Sequence, residues 1–98
     1  MRKREYDQAF GAVRDVIHEW DPYGLLLSGA PPDEFDREAH AIVRQLGRIH
    51  SALDAGHVIS RVFSSSFEAE PFQVEHCRVV GERLFAALVE RGMVGRRT

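Results

Sequence analysis

Apolar residues return every three or four positions through four stretches of this chain, and no comparable stretch alternates with period two. That spacing gathers each apolar set on one face of an α-helix and provides no half-buried strand from which to build a sheet. The clearest stripe runs over Lys3–Trp20, where Tyr6, Phe10, Val13, Ile17 and Trp20 are separated by four, three, four and three positions. A second stripe, Phe35, Ala39, Ile42, Leu46 and Ile49, predicts a helix over 33–49. Asp33 is its expected N-cap, with Asp36 three residues on, and acids in the first turn suit the positive end of a helix. Ser51 with Asp54 opens a third helix over 52–67, whose face is Ala55, Val58, Ile59, Val62, Phe63 and Phe67. Pro71 suits the first turn of a fourth helix over 71–91, and Gly92 is its stop. The expectation is an all-α, compact four-helix single domain spanning 1–98, with short basic tails at 1–4 and 93–98. With 98 residues, such a chain has one core and little more.

Between the first two helices, Asp21-Pro22-Tyr23-Gly24 carries the residue preferences of a type I turn. Leu25, Leu26 and Leu27 are too apolar for a free loop and are expected to pack beneath the bundle. Pro31-Pro32 should keep the chain extended into the second helix.

Composition excludes several classes. At 44% apolar and 29% charged, the chain is not a disordered one. Its longest aliphatic run, Leu25–Leu27, is far below the ~20 residues that span a bilayer. The basic start is followed by no apolar segment, so no secretory signal and a cytoplasmic location are expected. Cys77 is the one cysteine, which rules out an intrachain disulfide and argues against a thiolate zinc site. Net charge is −2, but residues 19–38 hold six acids against Arg37, a local charge of −5. A block of that sign argues against nucleic acid as the ligand.

No residue set resembles a reaction centre. His18, His40, His50, His57 and His76 form no His-Glu-x-x-His pattern. The run Asp33-Glu34-Phe35-Asp36-Arg37-Glu38 lacks the alternating acids and glycine of a calcium loop. Cys77 falls on an apolar stripe, where cysteine acts as a small hydrophobe. Ser64-Ser65-Ser66 has no Gly-x-Ser-x-Gly context, and no glycine-rich phosphate loop is present. No catalytic residue, metal or cofactor is therefore expected. The candidate partner-binding residues are Glu34, Glu38, Asp21 and Tyr23. Glu34 and Glu38 stand four apart, so they should share one exposed helix face. This reading is a non-enzymatic protein-binding domain, a monomer or weak homodimer, that meets a basic protein. Two alternatives stand beside it: a small enzyme or ligand-binding domain with a pocket near Tyr23, Asp33 and His40, and a structural helical adaptor.

Trp20-Asp21-Pro22-Tyr23-Gly24, Pro32-Asp33-Glu34-Phe35-Asp36, Ser66-Phe67-Glu68 and Cys77 together resemble the YugE-like family of small helical bacterial proteins of unknown function. The resemblance extends over about residues 10–90. It implies a multihelical fold and carries no established activity or catalytic residue. The first two motifs are also similar to those of small immunity proteins encoded beside bacterial toxins. That likeness implies a toxin as the partner, and the acidic block at 19–38 would suit a basic one.

Overall fold

A computed structural model describes residues 1–94. It contains four α-helices: α1 (Lys3–Trp20), α2 (Asp36–Val43), α3 (Ala52–Ser66) and α4 (Arg78–Glu90). Short 3-10 turns fall at Pro22–Gly24, Leu46–Arg48, Glu70–Phe72 and Val74–Cys77, and the described residues contain no strand. The helices close a ring of contacts in which α1 meets α2 and α4, and α3 meets α2 and α4. The all-α reading is the observed architecture.

The stripes account for most of the core. Val13 and Ile17 of α1 are fully buried, and Tyr6, Phe10 and Trp20 pack partly covered around them. Ala9 and Ala12 are also fully buried. Their small side chains let α1 approach both of its neighbours. In α3, Ser51 caps as expected: its hydroxyl accepts from the Asp54 N–H at 3.1 Å, and the Asp54 carboxylate accepts from the His50 N–H at 2.9 Å. The α3–α4 contact is tight enough that a Cβ placed on Gly81 would lie 2.7 Å from the backbone of Gly56.

Three expected boundaries shift. The second helix does not cover 33–49. Asp33 makes no cap, because the chain passes first through turns in which Pro31 and Asp33 carbonyls accept from the Glu34 and Asp36 N–H groups. The α-helix ends at Val43, and a 3-10 turn follows in which Gln45 and Ile49 donate to carbonyls three residues back. In that tighter winding residues three apart eclipse, which keeps Leu46 and Ile49 both in the core. The fourth helix does not start at 71. Gln73 is extended (φ −63°, ψ 154°) between the two 3-10 turns, and regular helix begins at Arg78. The cause lies across the interface, where the Phe72 carbonyl accepts from the Ser60 hydroxyl, with Ser64 Oγ at 3.4 Å and Cys77 Sγ at 3.7 Å.

The chain end also differs from the expected tail. Gly92 stops α4 with φ +70°, its N–H donating to Val89 and that of Met93 to Leu88, the paired bonds of a Schellman cap. Met93 and Val94 then pack against the core. The rest of that tail, 95–98, lies outside the described residues. Among the described residues, no helix is long and apolar enough to cross a membrane.

Candidate functional site

The chain leaves α1 through two non-glycine residues in left-handed backbone, Asp21 (φ 44°) and Tyr23 (φ 65°). The Gly24 N–H donates to the Asp21 carbonyl at 2.9 Å, and Tyr23 (ψ 1°) matches the third position of a type II turn. The expected type I turn is thereby corrected. A tyrosine occupies a position that normally calls for glycine, and such a conformation costs about 1–3 kcal/mol. Local and distant bonds hold it. The Asp21 carboxylate accepts from the Leu26 and Leu27 N–H groups at 2.8 and 3.0 Å, which winds residues 24–30 into a compact loop. Leu25 and Leu26 pack partly covered, as expected, whereas Leu27 does not: it is 91% exposed.

The strain fixes the position of the Tyr23 ring. Its hydroxyl donates to Glu68 Oε2 at 2.7 Å, and its ring stands edge-on to Phe67 and Phe72 at 5.7 and 5.6 Å. The phenol is raised above its ordinary value, first by the hydrogen bond to Glu68, then by partial burial and the Glu68 charge. Trp20 stands edge-on to Phe63 and Phe72, and Phe35 lies against Phe63 and Phe67. The end of α1, the turn before α2, the end of α3 and the turn before α4 thus converge on one aromatic cluster. The inner rings, Phe35, Phe63 and Phe72, are buried; Tyr23 and Phe67 form its outer edge, 49% and 38% exposed.

The sequence-predicted residues divide at this point. Tyr23 sits at the centre of the exposed edge. Asp21 serves the loop, and both of its oxygens are occupied. Glu34 is exposed beside buried Phe35. Glu38 does not share that exposure: it is 5% accessible, on the covered side of α2 with Ala39 and Ile42, while Glu34 lies in the turns before that helix. Asp36 pairs instead with Arg14 at 3.1 Å, and Arg14 also donates to the Pro32 carbonyl. The suggested pocket of Tyr23, Asp33 and His40 is not assembled. The Tyr6 hydroxyl and His40 Nδ1 share a hydrogen bond at 2.8 Å, and the His40 ring stacks on Phe10 at 4.2 Å, whereas Tyr23 belongs to the cluster around Trp20. Phe10 and Trp20 are ten residues apart on α1, about 15 Å at 1.5 Å per residue.

Phe67, Glu68 and Glu70 were not among the candidates. Phe67 reads as core at helical spacing, and nothing local shows that α3 ends one residue before it. Glu68 stands on the exposed edge itself, and the exposed acids Glu34 and Glu70 lie next to Phe35 and two residues beyond Glu68 in the chain. Among the described residues, Glu34, Glu68 and Glu70 have no cationic side chain within 4.0 Å, unlike Asp15, Glu19 and Glu82, which are paired to arginines.

Other features support chemistry less well. A groove of about 390 Å³ lies toward the other end of α3, lined by Ala52, Leu53, Gly56 and Val74, with Glu75, Arg78 and Glu82 at its rim. Its Glu82 carboxylate is paired with Arg78 at 3.7 Å. Cys77 is fully buried, and burial pushes its thiol up to about 11, so almost none is thiolate at neutral pH. The native protein should therefore resist Ellman's reagent at pH 8 and react promptly once unfolded in urea. Rapid native labelling would show that the thiol is accessible. Among the described residues, His18 Nε2 is buried without a partner, while His50, His57 and His76 are exposed and separate. Among the described residues, no three His, Cys, Asp or Glu side chains gather as metal ligands would.

No curated protein and no solved structure matches the chain. A family model does: residues 12–90, which contain every element of the aromatic cluster, match DUF1871, a domain of unknown function, and the chain belongs to that family.

Proposed function

We propose that this domain is a protein-binding module that docks a basic partner on the edge formed by Tyr23, Phe67 and Glu68. The observation that carries this reading is Tyr23 itself. It is held in strained backbone by Asp21 and Glu68, yet leaves about half its surface in water. A rigid, half-exposed aromatic beside a buried cluster has the character of an interface anchor, since ordering it costs little on binding. Among the described residues Glu34, Glu68 and Glu70 have no cationic partner, and acids in the segments that form this edge would steer a basic surface and select against an acidic one. An immunity role, with a basic toxin as partner, is the narrowest form of this reading, and a toxin gene beside this one would favour it.

A photo-crosslinking residue at position 23 tests the docking face, with the same residue at Leu53 as the control. The captured protein is then titrated against purified variants. Charge reversal at Glu38 is unsuitable, because a lysine there would be buried; Glu34→Lys with Glu68→Lys keeps both changes on the surface. That pair is expected to weaken binding at least about tenfold at low salt, with the deficit shrinking at high salt. Tyr23→Asn, which tolerates left-handed backbone, is expected to weaken it at both salt concentrations. A partner crosslinked from Leu53 and not from position 23, with both variants binding as wild type, overturns the proposal.

A further inference from the structure

We infer that the residue this edge receives from its partner is an arginine, its guanidinium stacked on the exposed face of Tyr23 and paired with the Glu68 carboxylate. The inference rests on the docking reading above and names its anchor. Three features of the edge fit a guanidinium. The first is the ring: Tyr23 stands roughly perpendicular to Phe67 and Phe72, with centroids at 5.7 and 5.6 Å, and 49% of its surface is open to solvent. A planar cation gains from the negative face of such a ring.

The second is the carboxylate. Glu68 Oε2 accepts the Tyr23 hydroxyl at 2.7 Å, which fixes the carboxylate beside the ring, and among the described residues Oε1 accepts no hydrogen bond. A guanidinium can lie over an aromatic face and still direct N–H groups in its own plane at a carboxylate. A lysine ammonium is a compact, strongly hydrated charge and cannot match both groups as well. The third is charge. Glu34 directly precedes Phe35 and Glu70 stands two residues beyond Glu68, so both acids lie in segments that carry the cluster, and among the described residues neither has a cationic partner. Among the described residues, the edge therefore presents anionic and aromatic groups with no cationic side chain paired to them. Neither a neutral apolar side chain nor an anion would meet the carboxylate.

The test uses the ¹⁵N-labelled full chain and three blocked tripeptides, acetyl-Gly-X-Gly-amide with arginine, lysine or norleucine at X, titrated at low salt. The arginine peptide is expected to give saturable amide shifts at Tyr23, Phe67 and Glu68. Its affinity should exceed that of the norleucine peptide about tenfold and that of the lysine peptide about threefold. Glu68→Gln, an exposed and near-isosteric change, should remove most of the preference for arginine over norleucine while leaving the rest of the spectrum in place. Tyr23→Asn should remove the shifts. Equal binding of arginine and norleucine at these residues overturns the arginine assignment and leaves the docking face standing. Arginine shifts confined to other residues, or absent from the edge at the highest concentration, also overturn the assignment. Crosslinking from position 23 decides the docking reading separately.

Discussion

Replacing Phe63 by alanine is expected to destabilise the protein by about 3–5 kcal/mol, the range for losing a large buried aromatic. Phe63 has no exposed surface, and its ring meets Trp20 at 5.0 Å, Phe72 at 5.3 Å, Phe67 at 5.8 Å and Phe35 at 6.0 Å. Removing it opens a cavity between α1, the residues leading into α2, α3 and the turn before α4, and no single neighbour can move to close it. A domain of this size has about 5–15 kcal/mol of stability in all, so the variant should lose much of its resistance to urea. Phe63→Leu refills most of the space and should lose less. Urea denaturation followed by circular dichroism measures both. A loss below about 1 kcal/mol for Phe63→Ala would mean that the cluster does not hold the four segments together. Trp20, which closes the α1 stripe, is only partly covered, so the larger effect belongs to Phe63.

Gly81→Ala should reverse the usual sign of a glycine-to-alanine change within a helix. In an open helical position alanine is favoured by about 1 kcal/mol. At Gly81 the new Cβ would lie 2.7 Å from Gly56 Cα and N and 3.1 Å from the Ala52 carbonyl oxygen. These are backbone atoms, which cannot swing aside as a side-chain tip does, so α3 and α4 must separate along their largest contact. Overpacking of this kind costs about 1–3 kcal/mol, occasionally more. The backbone contacts place Gly81→Ala at or above the top of that range, and after the propensity gain a net loss of about 2 kcal/mol is expected. Gly11→Ala in α1 is the internal comparison, because nothing lies within 4 Å of a Cβ there. It should gain about 0.5–1 kcal/mol. Thermal unfolding of the two variants beside wild type checks the pair, and a Gly81→Ala protein as stable as wild type would refute the close crossing.

The sequence by itself determined the helices as stripes. Period-3.6 spacing depends on neighbours one turn away, so Val13, Ile17, Ile42, Ile59, Phe63, Leu84 and Leu88 could be assigned to the core without knowing what they face. The caps written in short-range chemistry were legible for the same reason, as at Ser51 and Gly92. Tertiary structure decided what local patterns do not contain. Phe72 is held off a regular helix by hydroxyls on α3, twelve and eight residues away in sequence, so the fourth helix starts late. Glu38 reads as a surface acid and is buried, because the fold, and not its own neighbours, sets which side of α2 is covered. The candidate site depends most on long-range contact. Tyr23 and Glu68 are 45 residues apart, and Tyr23 and His40, which the sequence suggests for one pocket, bond to Glu68 and to Tyr6. A hydrogen bond or ring contact between distant segments leaves no periodic trace in either one, so only the folded chain shows that these motifs form one edge.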